Sequence, residues 1–185
     1  MKKAAQNSHS KEVTVKVLSV QQPHADLIIS GVKWCENRTW NTNHRGILFI
    51  HASSWDKEEK AAWEADGIDP AVELGLGCRI GAIIGFVYVD DCLPIADLEA
   101  IQDGSIPEGL EDLAEGLMEV PDESWNFVSG PFCWIMVNPK PLAAPIPAKG
   151  RLNIWKFTTE AHRLKTSAGP SYGSTIDDSI EDGDL

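Results

Sequence analysis

Apolar and polar positions along the chain follow two periods, and strand-like runs outnumber helical ones. Val13 to Val20 alternates, with Val13, Val15 and Val17 set against Thr14, Lys16 and Leu18, which predicts a strand with one buried face. Gln21 and Gln22 lead into Pro23, a residue suited to the first turn of a helix because its missing N–H would be unpaired there. Ala25, Leu27, Ile28 and Ile29 form the buried side of that short helix, and Gly31 is placed to end it in a left-handed conformation. Trp34 to Trp40 then reads as a strand, Asn41 to Arg45 as a turn, and Gly46 to His51 as an apolar strand.

Ser53 or Ser54 can cap a helix over roughly Trp55 to Asp66, with Trp55, Ala62 and Trp63 facing inward. A loop-rich connection from Gly67 to Gly77 precedes a long central strand, Arg79 to Val89. Asp90 to Glu123 has helical patterning around Ile95 to Ile101 and Leu110 to Val120 and reads as an acidic surface excursion from the sheet. Phe132 to Val137 is a further strand, Asn138 to Pro147 an extended proline-rich stretch unable to donate regularly to a sheet, and Arg151 to Phe157 a last strand. Five or six short strands with few helices and many glycine and proline turns predict a mainly β (α+β) fold, a small closed barrel with flanking helices.

Length and composition add the domain plan. With 185 residues, 43% of them hydrophobic, the chain can bury one substantial core. The expected layout is a flexible arm over 1–12, one domain over 13–165 containing the acidic insertion at 90–123, and a disordered acidic tail over 166–185. The polar start lacks the apolar stretch of a signal peptide and no run approaches a bilayer span, so a soluble, cytoplasmic or otherwise intracellular protein without a membrane partner is expected. Cys35, Cys78, Cys92 and Cys133 match neither a metal clip nor a disulfide scaffold, and no metal or cofactor is expected. A dinucleotide fingerprint and a phosphate-binding P-loop are both missing from the sequence.

Charge changes the picture only when it is located. The net charge of −12 argues against a nucleic-acid partner. Yet twelve carboxylates lie in Asp90 to Glu123 and five more after Gly173, which leaves the rest of the chain with a small positive balance. Lys33, Arg38 and Arg45 face only Glu36 between Gly31 and His51, and six basic residues face only Glu160 between Lys140 and Lys165. A basic face on an acidic protein is compatible with this distribution, and so is ordinary solvated charge.

Candidate chemistry concentrates in Gly31-Val32-Lys33-Trp34-Cys35-Glu36-Asn37-Arg38, of the form G-x-K-x-x-E-x-R. Around it stand Leu18-Ser19-Val20-Gln21-Gln22-Pro23, Arg45-Gly46, Phe49-Ile50-His51-Ala52-Ser53, Asn138-Pro139-Lys140-Pro141 and Gly150-Arg151 to Trp155. This ordered set, from Val17 to Phe157, resembles the ASCH (activating signal cointegrator homology) domain family. The resemblance implies a PUA-like β-barrel of five to six strands with a cleft at the motif, and an RNA, nucleotide or nucleoside ligand. Some relatives cleave RNA or hydrolyse acetylated cytidine nucleosides; the latter carry a threonine where Glu36 stands.

The residues themselves allow two roles. With Lys33 in the turn after the helix, and Glu36, Arg38 and Trp40 on one face of the next strand, Lys33 can bend toward Glu36. The cluster can then hold phosphate or carboxylate through its cations and a base amide through its carboxylate, or pin the helix to the barrel as a salt bridge. Ligand-binding candidates are Gly31, Lys33, Glu36, Arg38, Arg45, His51 and Trp155. Trp40 and Trp155 are candidates for stacking on a base. Should the protein be a metal-independent hydrolase, Lys33 and Glu36 are its candidate catalytic residues; a third reading is an interaction module whose acidic insertion docks on a basic protein.

Overall fold

The computed structural model describes residues 11–67, 69, 77 and 79–167. The start of the expected arm, most of the connection after Gly67, Cys78 and the tail from residue 168 onward lie outside the described residues. Among the described residues six strands form one mixed sheet: β1 (Glu12–Gln22), β2 (Cys35–Arg38), β3 (Gly46–Trp55), β4 (Ala82–Pro94), β5 (Phe132–Pro147) and β6 (Ile154–Glu160). Their order is β2-β5-β4-β3-β1-β6. Only β1 and β3 run parallel, because α1 (His24–Ile29) and β2 lie between them in the chain and supply the crossover.

The sheet is mainly β and barrel-like, as expected, but it is not closed by backbone pairing. β2 and β6 are its two edges among the described residues. That it curls is evident from one contact: Arg38 Nη2 on β2 donates to the Ser19 carbonyl on β1 at 2.9 Å. In a flat sheet those strands, with three others between them, would stand about 19 Å apart. Sheet twist, with register shifts along β4 and β5, brings them together.

Inside the curl, Leu18, Val20, Leu48, Ile50, Ala52, Val87, Val89, Trp134 and Met136 pack around Ala25, Ile28 and Ile29 of α1. The predicted helix and its buried positions are therefore present. β1 departs from the expected single buried face. The expected face, with Val15 and Val17, joins Phe49, Ile83, Ile146 and Trp155 in a separate cluster, and the opposite face buries Leu18 and Val20 as well, so both are covered.

Further differences have local causes. β3 continues through Ser53 and Ser54, and the following helix α2 (Lys57–Ala65) is started by Asp56, whose Oδ1 accepts the Glu58 N–H at 3.0 Å, not by either serine. Ala62 is exposed instead of inward. The proline-rich stretch is not separate from Phe132 to Val137; both belong to the 16-residue β5, with Asn138 at φ 51 absorbing the irregularity.

The acidic segment is no free excursion. Its first residues are the end of β4, and α3 (Ile95–Gln102) and α4 (Glu111–Met118) bury Leu98, Ile101, Ala114 and Leu117 against Trp34, Cys35, Leu93, Cys133 and Ile135. Carboxylates point outward because the apolar side of each helix is spent on this second core.

Candidate functional site

The motif is assembled by the exit from α1. Ser30 is the last helical cap, and Gly31 follows at φ +82, a conformation a β-carbon would strain. The Lys33 N–H turns back to the Leu27 carbonyl at 3.0 Å. This aims the Lys33 side chain at β2, where Nζ meets Glu36 Oε2 at 2.8 Å. Arg38 Nη2 meets Glu36 Oε1 at 3.0 Å, so one carboxylate is shared by two cations. Lys33 is 4% exposed. A buried cation of this kind persists only because its carboxylate partner offsets the lost hydration.

His51 stands opposite Ser19 in the β1–β3 register and is 2% exposed. Its Nε2 lies 2.9 Å from the Ala148 carbonyl and so carries the proton, which leaves Nδ1 as an acceptor. Nδ1 of His51 and Nε of Arg38 are both buried without a hydrogen-bond partner. Gly150 lies against the imidazole so closely that a β-carbon there would meet Cε1 at 2.7 Å.

These groups line a cleft of about 950 Å³, within the usual range for ligand sites. Its walls come from β1 (Ser19, Val20, Gln21), β2 (Glu36, Asn37, Arg38), β3 (His51, Ser53, Ser54), the stretch at the acidic segment's far end (Asn126, Phe127, Ser129), and the β5–β6 loop from Ala148 to Asn153. Asn37 ties the acidic segment to that wall, donating to the Phe127 carbonyl at 2.7 Å and accepting the Ser129 N–H at 3.1 Å. Lys33, Arg38, Lys149 and Arg151 face the cleft, with Glu36 as its one carboxylate among the described residues.

Of the sequence candidates, Lys33, Glu36, Arg38 and His51 are brought together. Gly31 shapes the backbone beside them but does not line the cleft. Arg45 lies apart, ion-paired with Asp91 and donating to the Thr42 and His44 carbonyls. Trp155 sits behind the wall, its Nε1 3.2 Å from Ser19 Oγ, and is flanked by His51 and Phe157. Trp40 packs edge-on against Trp134 at 4.6 Å, and the Arg151 guanidinium lies over the Trp155 ring, 5.8 Å from its centroid; neither Trp40 nor Trp155 lines the cleft. Sequence reasoning missed Ser19, whose carbonyl takes Arg38 and whose hydroxyl meets the Arg151 N–H and Trp155 Nε1. Lys149 was signalled only by the basic count of its region, and Arg151 by that count and by the Gly150-Arg151 to Trp155 segment of the family resemblance.

No group of three metal-ligating side chains occurs among the described residues, and no helix there is long and apolar enough to cross a membrane. Cys35, Cys92 and Cys133 are buried free thiols.

Comparison with known families gives a match to the ASCH domain over residues 18–145, more than half of the chain. The chain belongs to the ASCH domain family. Activating signal cointegrator 1 of Homo sapiens is 28% identical over 154 residues, which cover 79% of this chain and 23% of that protein. The Mus musculus protein of the same name is 27% identical with the same coverage, so this chain matches about a quarter of the length of both curated relatives. Among solved structures, ASCH from Zymomonas mobilis aligns over 71% of this chain and 72% of its own, at 16% identity and a TM-score of 0.37. The family match takes in Lys33, Glu36, Arg38 and His51; the loop carrying Lys149 and Arg151 lies beyond its end.

Proposed function

We propose that this ASCH domain binds RNA or a nucleotide in the cleft, with the Lys33–Glu36–Arg38 cluster meeting the base or a deep phosphate and Lys149 and Arg151 meeting phosphates at the rim. The observation that carries this reading is the gathering of four cations against one carboxylate in a cleft of a chain whose net charge is −12. Arg38 Nε and His51 Nδ1, a donor and an acceptor without protein partners, are the polar complement a nucleobase edge requires. Fluorescence anisotropy with labelled RNA tests it: Arg38→Ala weakens binding at a temperature where the variant is still folded by circular dichroism. Equal affinity for wild type and variant at moderate salt refutes the reading.

Hydrolysis of RNA or a nucleoside is the second reading, and the observation favouring it is the buried, unpartnered lone pair of His51 Nδ1. Lys33 and Glu36 serve it poorly as base or nucleophile because each is engaged by the other. Turnover of an RNA or acylated-nucleoside panel that is lost in His51→Gln supports it; no turnover across the panel removes it. Docking of the acidic segment on a basic protein is tested by reversing its outward carboxylates, since deleting the segment would strip Leu98, Ile101 and Leu117 from the second core.

A further inference from the structure

We propose that the β5–β6 loop makes the cleft selective for unpaired nucleic acid: Leu152 lies against an exposed base face while Lys149 and Arg151 hold the flanking phosphates. This rests on the reading of the cleft as a nucleic-acid site and assigns a role to a segment beyond the residues of the family match.

Leu152 is 90% exposed, more than any other large hydrophobic residue among those described. An exposed leucine forgoes the free energy of burial, and in a slack loop it would fold down onto the nearest apolar surface. This loop is not slack at its base. The Ala148 carbonyl accepts His51 Nε2 at 2.9 Å, the Ala148 N–H donates to Gly81 at 3.0 Å, and the Arg151 N–H meets Ser19 Oγ at 3.2 Å. Gly150 is wedged against the His51 ring, and Asn153 turns the chain at φ 58. Leu152 is therefore held out at the cleft rim by a braced backbone, a pre-organised contact instead of a collapsed one.

Its neighbours decide the partner. Lys149 and Arg151 are exposed on either side of Gly150, and Ile80, 58% exposed, lies next to Gly81, which the loop grips. Alternating cations and apolar side chains at a concave, polar-walled cleft match a strand whose phosphates and base faces alternate. A duplex hides its base faces in the stack and would leave Leu152 and Ile80 with nothing apolar to touch.

The test uses the full chain with a labelled oligouridylate, a hairpin duplex of the same length, and vesicles of anionic lipid. The single strand is expected to bind about 10-fold tighter than the duplex. Leu152→Ala should weaken single-strand binding by roughly 3- to 10-fold, leave duplex binding unchanged, and leave the slope of log affinity against log salt unchanged. Lys149→Ala and Arg151→Ala should each reduce that slope by about 0.7, and Leu152→Phe should restore or raise affinity. Wild-type binding that Leu152→Ala does not alter, or equal affinity for strand and duplex, overturns the proposal while leaving the cleft reading intact. Absence of RNA binding by the wild type overturns both. Vesicle binding that Leu152→Ala abolishes, with RNA binding unaffected, overturns the proposal and assigns the loop to a lipid surface.

Discussion

Lys33 and Arg38 on one wall of the cleft, and Lys149 and Arg151 on the other, carry the same charge into unlike surroundings. The first pair is sunk into the curl of the sheet and shares the Glu36 carboxylate; the second is exposed on a braced loop, with the Arg151 guanidinium over the Trp155 ring. Desolvation makes the first pair depend on its partner, so it belongs to the fold as much as to any ligand. High dielectric and salt screening make the second pair nearly irrelevant to folding and available to an incoming phosphate. Stability and binding should therefore divide between the two walls.

The largest effect is expected from Glu36→Ala, which strands the Lys33 ammonium at 4% exposure. A loss of about 3 to 5 kcal/mol in urea unfolding is expected, much of it recovered when Lys33→Met is added. A cost below about 1 kcal/mol would place the first wall in the same class as the second. Gly150→Ala comes next, at about 1 to 3 kcal/mol, because its β-carbon must displace the His51 ring that braces the loop. An unchanged thermal transition there would mean the loop is not braced. Arg151→Ala should change stability by less than about 0.5 kcal/mol while lowering RNA affinity, a split that Glu36→Ala cannot show.

The smallest effect separates pH from both walls. Burial holds the His44 pKa below the ordinary histidine value of 6.5, helped by the Lys16 ammonium 3.2 Å from Nδ1. Its folded state thus favours the neutral ring. The unfolded chain binds the extra proton as pH falls from 6.5, so stability is lost in that window and retained above it. His44→Gln should flatten this part of the pH–stability curve without changing RNA binding, and a matching change in affinity would tie His44 to the cleft.

Features written in adjacent residues were legible without coordinates. Buried positions at helical spacing, the left-handed Gly31 and the reach of Lys33 to Glu36 all follow from local geometry within eight residues. The strand character of β1 and the burial of Val15 and Val17 were legible too, but its second buried face was not, since Leu18 and Val20 are covered by α1 and by Leu48 and Ile50, partners that only the folded sheet supplies. The acidic segment misled for a related reason. Its composition is that of a solvated surface, and the few apolar residues that bury Trp34 and Cys133 reveal themselves only against the sheet.

By itself, then, the sequence determined the mainly β class and the reach of Lys33 to Glu36 after α1, because each rests on patterns short in sequence, and the family, through motifs kept in order along the chain. Only the tertiary structure decided that Arg38 reaches Ser19, that His51 braces the loop ahead of Leu152, and that Arg45 and Trp155 stand away from the cleft. Those outcomes depend on how far the sheet curls and which strands become neighbours, and such long-range pairings are set by the packing of the whole core.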